Sequence, residues 1–308
     1  MLRRFVIVLV AFVVLATVGF GVFAWRPSIA KIPPPPVSRF TPALVAKGAV
    51  LANAGYCASC HTARGGQPYA GGYAIKTQFG TIYSTNITPD PKTGIGAWSE
   101  RAFERAMRRG VRRDGAHLFP VFPYDHFSKM TDADVTALYA YVMTRLPVVA
   151  KEESTTIPFP LNIRALQAGW KLLFFRPERF VADARQSAEW NRGAYLAEGL
   201  GHCGACHTPR GMLGTEQRAH AYAGGSIDGW AAPPLRKTGT RQAPWAHAEF
   251  VAYLSTGKSH HHGTAAGPMA AVSRSLAKLP PADIAAIATY FTGRDRPAGE
   301  GTGSSQGR

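Results

Sequence analysis

Cys57-Ala58-Ser59-Cys60-His61 and Cys203-Gly204-Ala205-Cys206-His207 together hold all four cysteines of this 308-residue chain. Two thiols one helical turn apart can each add to a vinyl group of a haem, and the next residue then presents an imidazole to the iron from the proximal side. Cys-x-x-Cys-His is accordingly the attachment signature of c-type haem. A zinc centre requires only the cysteine pairs, and a redox dithiol belongs in a βαβ context that the flanking sequence lacks. Neither calls for a histidine directly after the second cysteine in both copies. The pattern predicts two covalently bound haem c groups, attached through Cys57, Cys60, Cys203 and Cys206, with His61 and His207 as proximal iron ligands.

Around the motifs runs a longer repeat. Gly48-Ala-Val-Leu51 precedes the first motif and Gly193-Ala-Tyr-Leu196 the second; Tyr69-Ala-Gly-Gly72 and Tyr222-Ala-Gly-Gly225 follow them. Trp98, Phe103 and Gly110 recur at the same spacing as Trp245, Phe250 and Gly257, and Asp134 with Tyr141 as Asp283 with Tyr290. Each unit reads as helix, motif, long loop, helix, ligand loop, helix. The last helix is the clearest: Thr131 offers a cap, Asp132 and Asp134 suit a helix N-terminus, and Val135, Leu138, Tyr139 and Val142 follow at helical spacing. Ile284, Ile287, Ala288 and Phe291 repeat that stripe after Pro280-Pro281. Between the units, residues 162–175 predict an amphipathic helix with Leu166, Trp170 and Phe174 on one side, packing the units together.

A low-spin electron carrier needs a second axial ligand, usually Met or His. In the second unit that ligand is expected to be Met269, in a loop before the last helix. In the first unit the equivalent place falls at Phe122, which has no donor atom. His126 is the first expectation there, Met130 the alternative, and an open site the third. The run His260-His261-His262 is expected to be a solvated loop.

Arg3 and Arg4 precede Phe5–Ala24, 20 residues without a charge. At about 1.5 Å per residue this matches a bilayer core of roughly 30 Å, and the positive end should stay cytoplasmic. Residues 1–25 therefore read as a membrane anchor or a signal sequence, with length favouring the anchor. Either sends the body outward, to a bacterial periplasm. Pro33 to Pro36 mark residues 26–40 as a stiff spacer holding the body off the membrane. The first unit spans 41–150, a connector 151–190 and the second unit 191–295, with a Gly/Ser-rich tail over 296–308 expected to be disordered. The net charge of +16 invites a nucleic-acid reading, but the basic residues are scattered. The one cluster, Arg105, Arg108, Arg109, Arg112 and Arg113, predicts a solvated helix face, and no nucleic-acid partner is expected.

The stretch from Phe79 to Trp98, with Tyr83-Ser-Thr-Asn-Ile-Thr-Pro-Asp90 inside it, and the stretch from Trp190 to Arg210, with Gly199-Leu-Gly-His-Cys-Gly-Ala-Cys-His-Thr-Pro-Arg210, resemble the cytochrome c subunits of membrane-bound bacterial dehydrogenases. The resemblance covers about residues 45 to 292. It implies a mainly α fold of two tandem class I cytochrome c-like domains behind an N-terminal transmembrane helix. It further implies a partner dehydrogenase subunit, a molybdenum hydroxylase or a quinoprotein, and a respiratory acceptor such as a quinone or another cytochrome. Phe122-Pro-Tyr-Asp-His-Phe127 is closer to the cytochromes that accompany molybdenum hydroxylases acting on aldehydes or N-heterocycles. The expected function is electron relay at the inner membrane, without substrate chemistry of its own. A dihaem peroxidase, which needs one open iron and a proton-transfer group, is the alternative.

Overall fold

The computed structural model describes residues 1–236 and 244–293. The expected tail over 296–308 lies outside the described residues. An apolar helix, α1 (Leu2–Ala24), comes first. The first unit holds α2 (Pro42–Ala54), α3 (Cys57–Cys60), the hairpin β1 (Ala74–Thr77) and β2 (Gly80–Tyr83), then α4 (Glu100–Arg109), α5 (Tyr124–Phe127) and α6 (Asp132–Met143). Helix α7 (Leu166–Phe174) lies in the connector. The second unit holds α8 (Ala188–Glu198), α9 (Gly204–His207), the hairpin β3 (Gly225–Ile227) and β4 (Trp230–Ala232), α10 (His247–Thr256), the short hairpin β5 (Lys258–Ser259) and β6 (Gly263–Thr264), α11 (Gly267–Leu276) and α12 (Pro281–Thr292).

Local chemistry sets these boundaries. The side chains of Thr41, Ser99, Thr131 and Ser187 each accept the N–H three residues on, capping α2, α4, α6 and α8. Gly110 and Gly257, at φ 56° and 72°, take the left-handed turn that ends α4 and α10. The scaffold of each unit is the crossing of its first and last helices, α2 on α6 and α8 on α12. Gly48 and Gly193 sit at those crossings. A Cβ on Gly48 would run into the Ala137 carbonyl oxygen, and one on Gly193 into that of Ala286. Leu51, Leu138 and Val142, and Leu196, Ile284 and Ile287, fill the space beneath. The sequence repeat is thus a repeat of packing.

The two units share one apolar core and are also joined by polar, hydrogen-bonded contacts. Tyr195 of the second unit donates to Asp134 of the first, which also pairs with Lys47 at 2.6 Å. Lys129 pairs with Glu198 at 2.7 Å, and the Tyr290 hydroxyl donates to the same carboxylate. Burial alone would raise the Glu198 pKa, but Lys129 and these donors hold it below the ordinary carboxylate value. Connector helix α7 ties to both units. The Lys171 ammonium donates to the Arg109 and Gly110 carbonyls at 2.7 and 2.6 Å, and Trp170 Nε1–H donates to the Leu213 carbonyl at 2.9 Å.

Three sequence expectations are corrected. The arginine cluster is not a solvated face: Arg108 is buried, bonded to Glu104, Asp132 and the Met130 carbonyl, and Arg105 reaches the carbonyls of Pro27, Arg112 and Arg113. Glu104 is an i,i+4 neighbour on α4, but the other partners come from outside the helix, which helical spacing does not reveal. Residues 26–32 do not hold the body off at a distance. Ile29 exchanges bonds with Arg113, and the Ile32 N–H donates to the Ala97 carbonyl, so this stretch is strapped along the first unit. Finally, His262 is not solvated: its ring stacks on Trp245 with centroids 3.6 Å apart.

Candidate functional site

Each Cys-x-x-Cys-His motif opens on a residue with unusual backbone. Tyr56 (φ 38°) and His202 (φ 28°), each just before the first cysteine, both take positive φ. That conformation is rare for residues with a large side chain. It turns the chain from the first helix of the unit into the one-turn helices α3 and α9, which present the cysteine pairs one turn apart. Burial pushes the free thiols up, Cys57 and Cys203 to about 12, Cys60 and Cys206 to about 11.

The histidines are oriented identically. His61 Nδ1 lies 2.8 Å from the Thr85 carbonyl oxygen, and His207 Nδ1 lies 2.6 Å from that of Pro233. A carbonyl only accepts, so in both rings Nδ1 carries the proton and Nε2 keeps its lone pair for a metal. Burial lowers both histidine pKa values, against the opposing effect of that hydrogen bond, so the rings are neutral at pH 7, the form that ligates. Thr85 and Pro233 occupy matching places just after β2 and β4. Sequence reasoning missed both, because a backbone acceptor leaves no residue-type signal; the repeated Tyr-Ala-Gly-Gly hairpin is the only trace of it.

In front of His61 lies a cleft of about 2190 Å³. Cys57, Cys60 and His61 line it together with Phe103, Met107, Phe122, Leu138 and Val142. Paired thiols, a fixed imidazole with a free Nε2 and apolar walls are what a covalently held porphyrin requires, so the residues present fit haem c. The cleft also reaches Cys206 of the second motif. The two motifs are close neighbours: the rings of Tyr56 and His202 lie 4.4 Å apart, the Tyr56 hydroxyl donates to the Gly201 carbonyl at 2.8 Å, and Ser59 Oγ is 3.4 Å from Ser275 Oγ of α11.

The expected distal ligands fare differently. The structure does not bring His126 to His61. Its Nδ1 is bonded to the Glu198 carbonyl and its Nε2 to Glu216, both at 2.8 Å, so neither nitrogen is left for iron. His126, expected as a distal ligand, is here a bridge between the units. Burial alone would lower its pKa, but the Glu216 hydrogen bond and charge hold it above the ordinary histidine value. Met130 is fully buried in the common core, with its carbonyl taken by Arg108 and Arg179. Phe122 lines the first cleft, where the repeat places it. Met269 sits in the first turn of α11 rather than in a loop, and packs against the core of the second unit.

Comparison with known proteins agrees with this geometry. The cytochrome c family model matches residues 45–145 and 191–293. Over 269 residues the chain is 52% identical to a nicotinate dehydrogenase component of Pseudomonas putida, covering 87% of this chain and 23% of that protein. It is 45% identical to the fructose dehydrogenase cytochrome subunit of Gluconobacter japonicus, covering 84% of this chain and 54% of the other. It is 38% identical to a dihaem cytochrome c-type protein of Cereibacter sphaeroides, covering 77% of this chain and 81% of the other. The chain thus spans about a quarter of the first relative and about half of the second.

Proposed function

This chain belongs to the cytochrome c family, and we propose that it carries one covalent haem c in each unit and relays single electrons from a partner dehydrogenase to a respiratory acceptor. The single observation that carries this is the duplicated site. Both histidines are locked through Nδ1 to a backbone carbonyl, beside a buried cysteine pair, and the two motifs meet at Tyr56 and His202. The haem supplies the redox chemistry when bound. The chain's own part is to attach it through Cys57, Cys60, Cys203 and Cys206, hold its iron with His61 and His207, exclude water with the apolar cleft, and fix the two sites side by side. The likeness to the nicotinate dehydrogenase component favours a partner of the molybdenum-hydroxylase class. The apolar helix α1, mean hydropathy 2.9, favours a single-pass anchor in the inner membrane with the body in the periplasm. The domain limits we propose are 41–150 and 191–295, joined by 151–190.

On the distal side we assign Met269 to the second unit. The first unit has Phe122, without a donor atom, in the equivalent place and His126 engaged by Glu198 and Glu216, while Met107 is a thioether that lines the same cleft. A pyridine haemochrome assay of the matured protein is expected to give two haem equivalents per chain; fewer overturns the dihaem reading. Met269→Ala should turn one haem from low to high spin and lower its potential, since a thioether ligand raises the potential. Phe122→Met should do the reverse to the other haem, and an unchanged spectrum would show that its iron already has a strong distal ligand. Mixing reduced protein with peroxide tests the peroxidase alternative: catalytic turnover would favour it, slow bleaching would rule it out.

A further inference from the structure

The function proposed above does not use a strip of apolar surface on the connector. Phe159, Leu172 and Leu173 are 79%, 68% and 68% exposed, and Leu161, Ile163 and Leu166 between them are exposed as well. No acidic residue occurs from 154 to 177. The strip continues onto the second unit at Met212 and Leu213, which Trp170 and Gln78 hold beside α7 through hydrogen bonds to the Leu213 and Met212 carbonyls. The cation of α7, Lys171, is turned inward onto the end of α4. An apolar surface of this kind on a protein body marks an interaction site.

Its position relative to α1 says what covers it. Helix α1 leaves the body by a fixed route: its last carbonyl, on Ala24, accepts from His117 Nε2 at 2.8 Å, and Arg105 donates to the Pro27 carbonyl at 2.6 Å. Helix α7 packs against α1 itself, with the Cβ position of Gly169 3.5 Å from Cε2 of Phe20. Phe20 lies four residues before the end of α1, about 6 Å below it at the α-helical rise. A bilayer that takes in the apolar length of α1 therefore comes up level with α7.

We propose that residues 159–175, with Met212 and Leu213, lie in the lipid headgroup boundary of the membrane that α1 crosses, so that the body rests flat on the bilayer. This rests on reading α1 as an anchor. Such a strip gains by burying its leucines in the acyl boundary while the exposed Arg176, just past the end of α7, meets phosphate groups. Leu161, Trp170 and Leu213 also line the cleft in front of His61. The first site is thereby held at the membrane surface.

The test uses the full haem-loaded chain in nanodiscs of phosphatidylethanolamine and phosphatidylglycerol. A nitroxide on Leu173→Cys should relax faster with oxygen, which concentrates in lipid, than with a water-soluble nickel chelate. The same label on exposed Lys258→Cys, in the β5–β6 hairpin, should show the opposite order. Chain retained in the disc with residue 173 as nickel-accessible as residue 258 overturns the proposal and leaves the anchor standing. Shielding of residue 173 that appears only when a dehydrogenase is added overturns it in favour of a protein-docking face. A mature chain that begins beyond Ala24 and stays out of the disc overturns anchor and strip together.

Discussion

Laid over one another, the two units agree in what holds the backbone and differ in the segment that precedes the last helix. Gly48 pairs with Gly193, Tyr69 (φ 64°) with Tyr222 (φ 63°), and Gly110 with Gly257. Tyr69 and Tyr222 each reach a tyrosine of the last helix, Tyr141 and Tyr290. The distal segments share no such likeness: the first carries Phe122 and the short α5, the second carries Met269 on the ten-residue α11. The lesson is that the crossing helices and the cysteine–histidine motifs form a frame common to both units, and that the units diverge in the segment before the last helix.

The hardest blow to the shared frame is a methyl group at either crossing. Alanine is the better helix former by about 1 kcal/mol. Against that, its Cβ would sit inside the contact distance of a backbone carbonyl, Ala137 for Gly48→Ala and Ala286 for Gly193→Ala, and backbone cannot rotate away as a side chain can. Overpacking of that kind costs about 3 kcal/mol or more. Each variant is expected to lose the cooperative unfolding of its own unit, read from the haem absorbance in a guanidinium titration. Equal losses confirm that the frame is the same in both units; a loss in only one would mean that one crossing can slide apart.

A smaller effect is expected at the seam between the units. His126 and Glu216 form a largely buried pair there, and removing one partner leaves the other without its counter-charge. Its pH dependence has a definite sign. The raised His126 contributes fully below the ordinary histidine value of 6.5 and its contribution is lost as pH rises through the higher folded value. Glu216 is depressed, burial being outweighed by His126, so its contribution is present above the ordinary value of 4.5 and lost as pH falls. Association of the units is therefore expected to be strongest between those two values and to weaken toward alkaline pH. Glu216→Gln should flatten the alkaline part of the profile, measured by denaturant midpoint against pH. An unchanged profile would mean that the seam is held by Lys129, Glu198 and Tyr195 alone.

That seam also marks how far the sequence could be read. The paired motifs, the repeated glycines and the caps were legible, because each is a residue type at a fixed spacing with a local physical cause. Residues 131–142 and 284–291 show their stripes directly. His126 shows the limit in physical terms. A histidine near an expected iron site reads as a ligand, and only folding reveals Glu216, 90 residues away, as its partner. The inward turn of Arg105 and Arg108 and the strapping of residues 26–32 escaped in the same way. Apart from Glu104 at i,i+4 to Arg108, their partners are backbone carbonyls and the distant Asp132, which carry no pattern along the chain.

The mildest difference between the units lies at the start of the last helix. In α6 the Thr131 side chain accepts the Asp134 N–H at 3.2 Å, whereas α12 opens on Pro280 without a side-chain cap. Thr131→Ala should cost the first unit about 1 kcal/mol, and Pro280→Ala should cost the second unit less than that through the cap, since Pro280 supplies no acceptor. The Tyr195 hydroxyl complicates the first case in an informative way. It accepts the Thr131 N–H at 3.1 Å while donating to Asp134, so the cap is continuous with the seam. If the cap acts only within α6, Thr131→Ala and Tyr195→Phe will add. If it is coupled to the seam, the double variant will be less destabilised than the sum, and a double-mutant cycle on the denaturant midpoint separates the two.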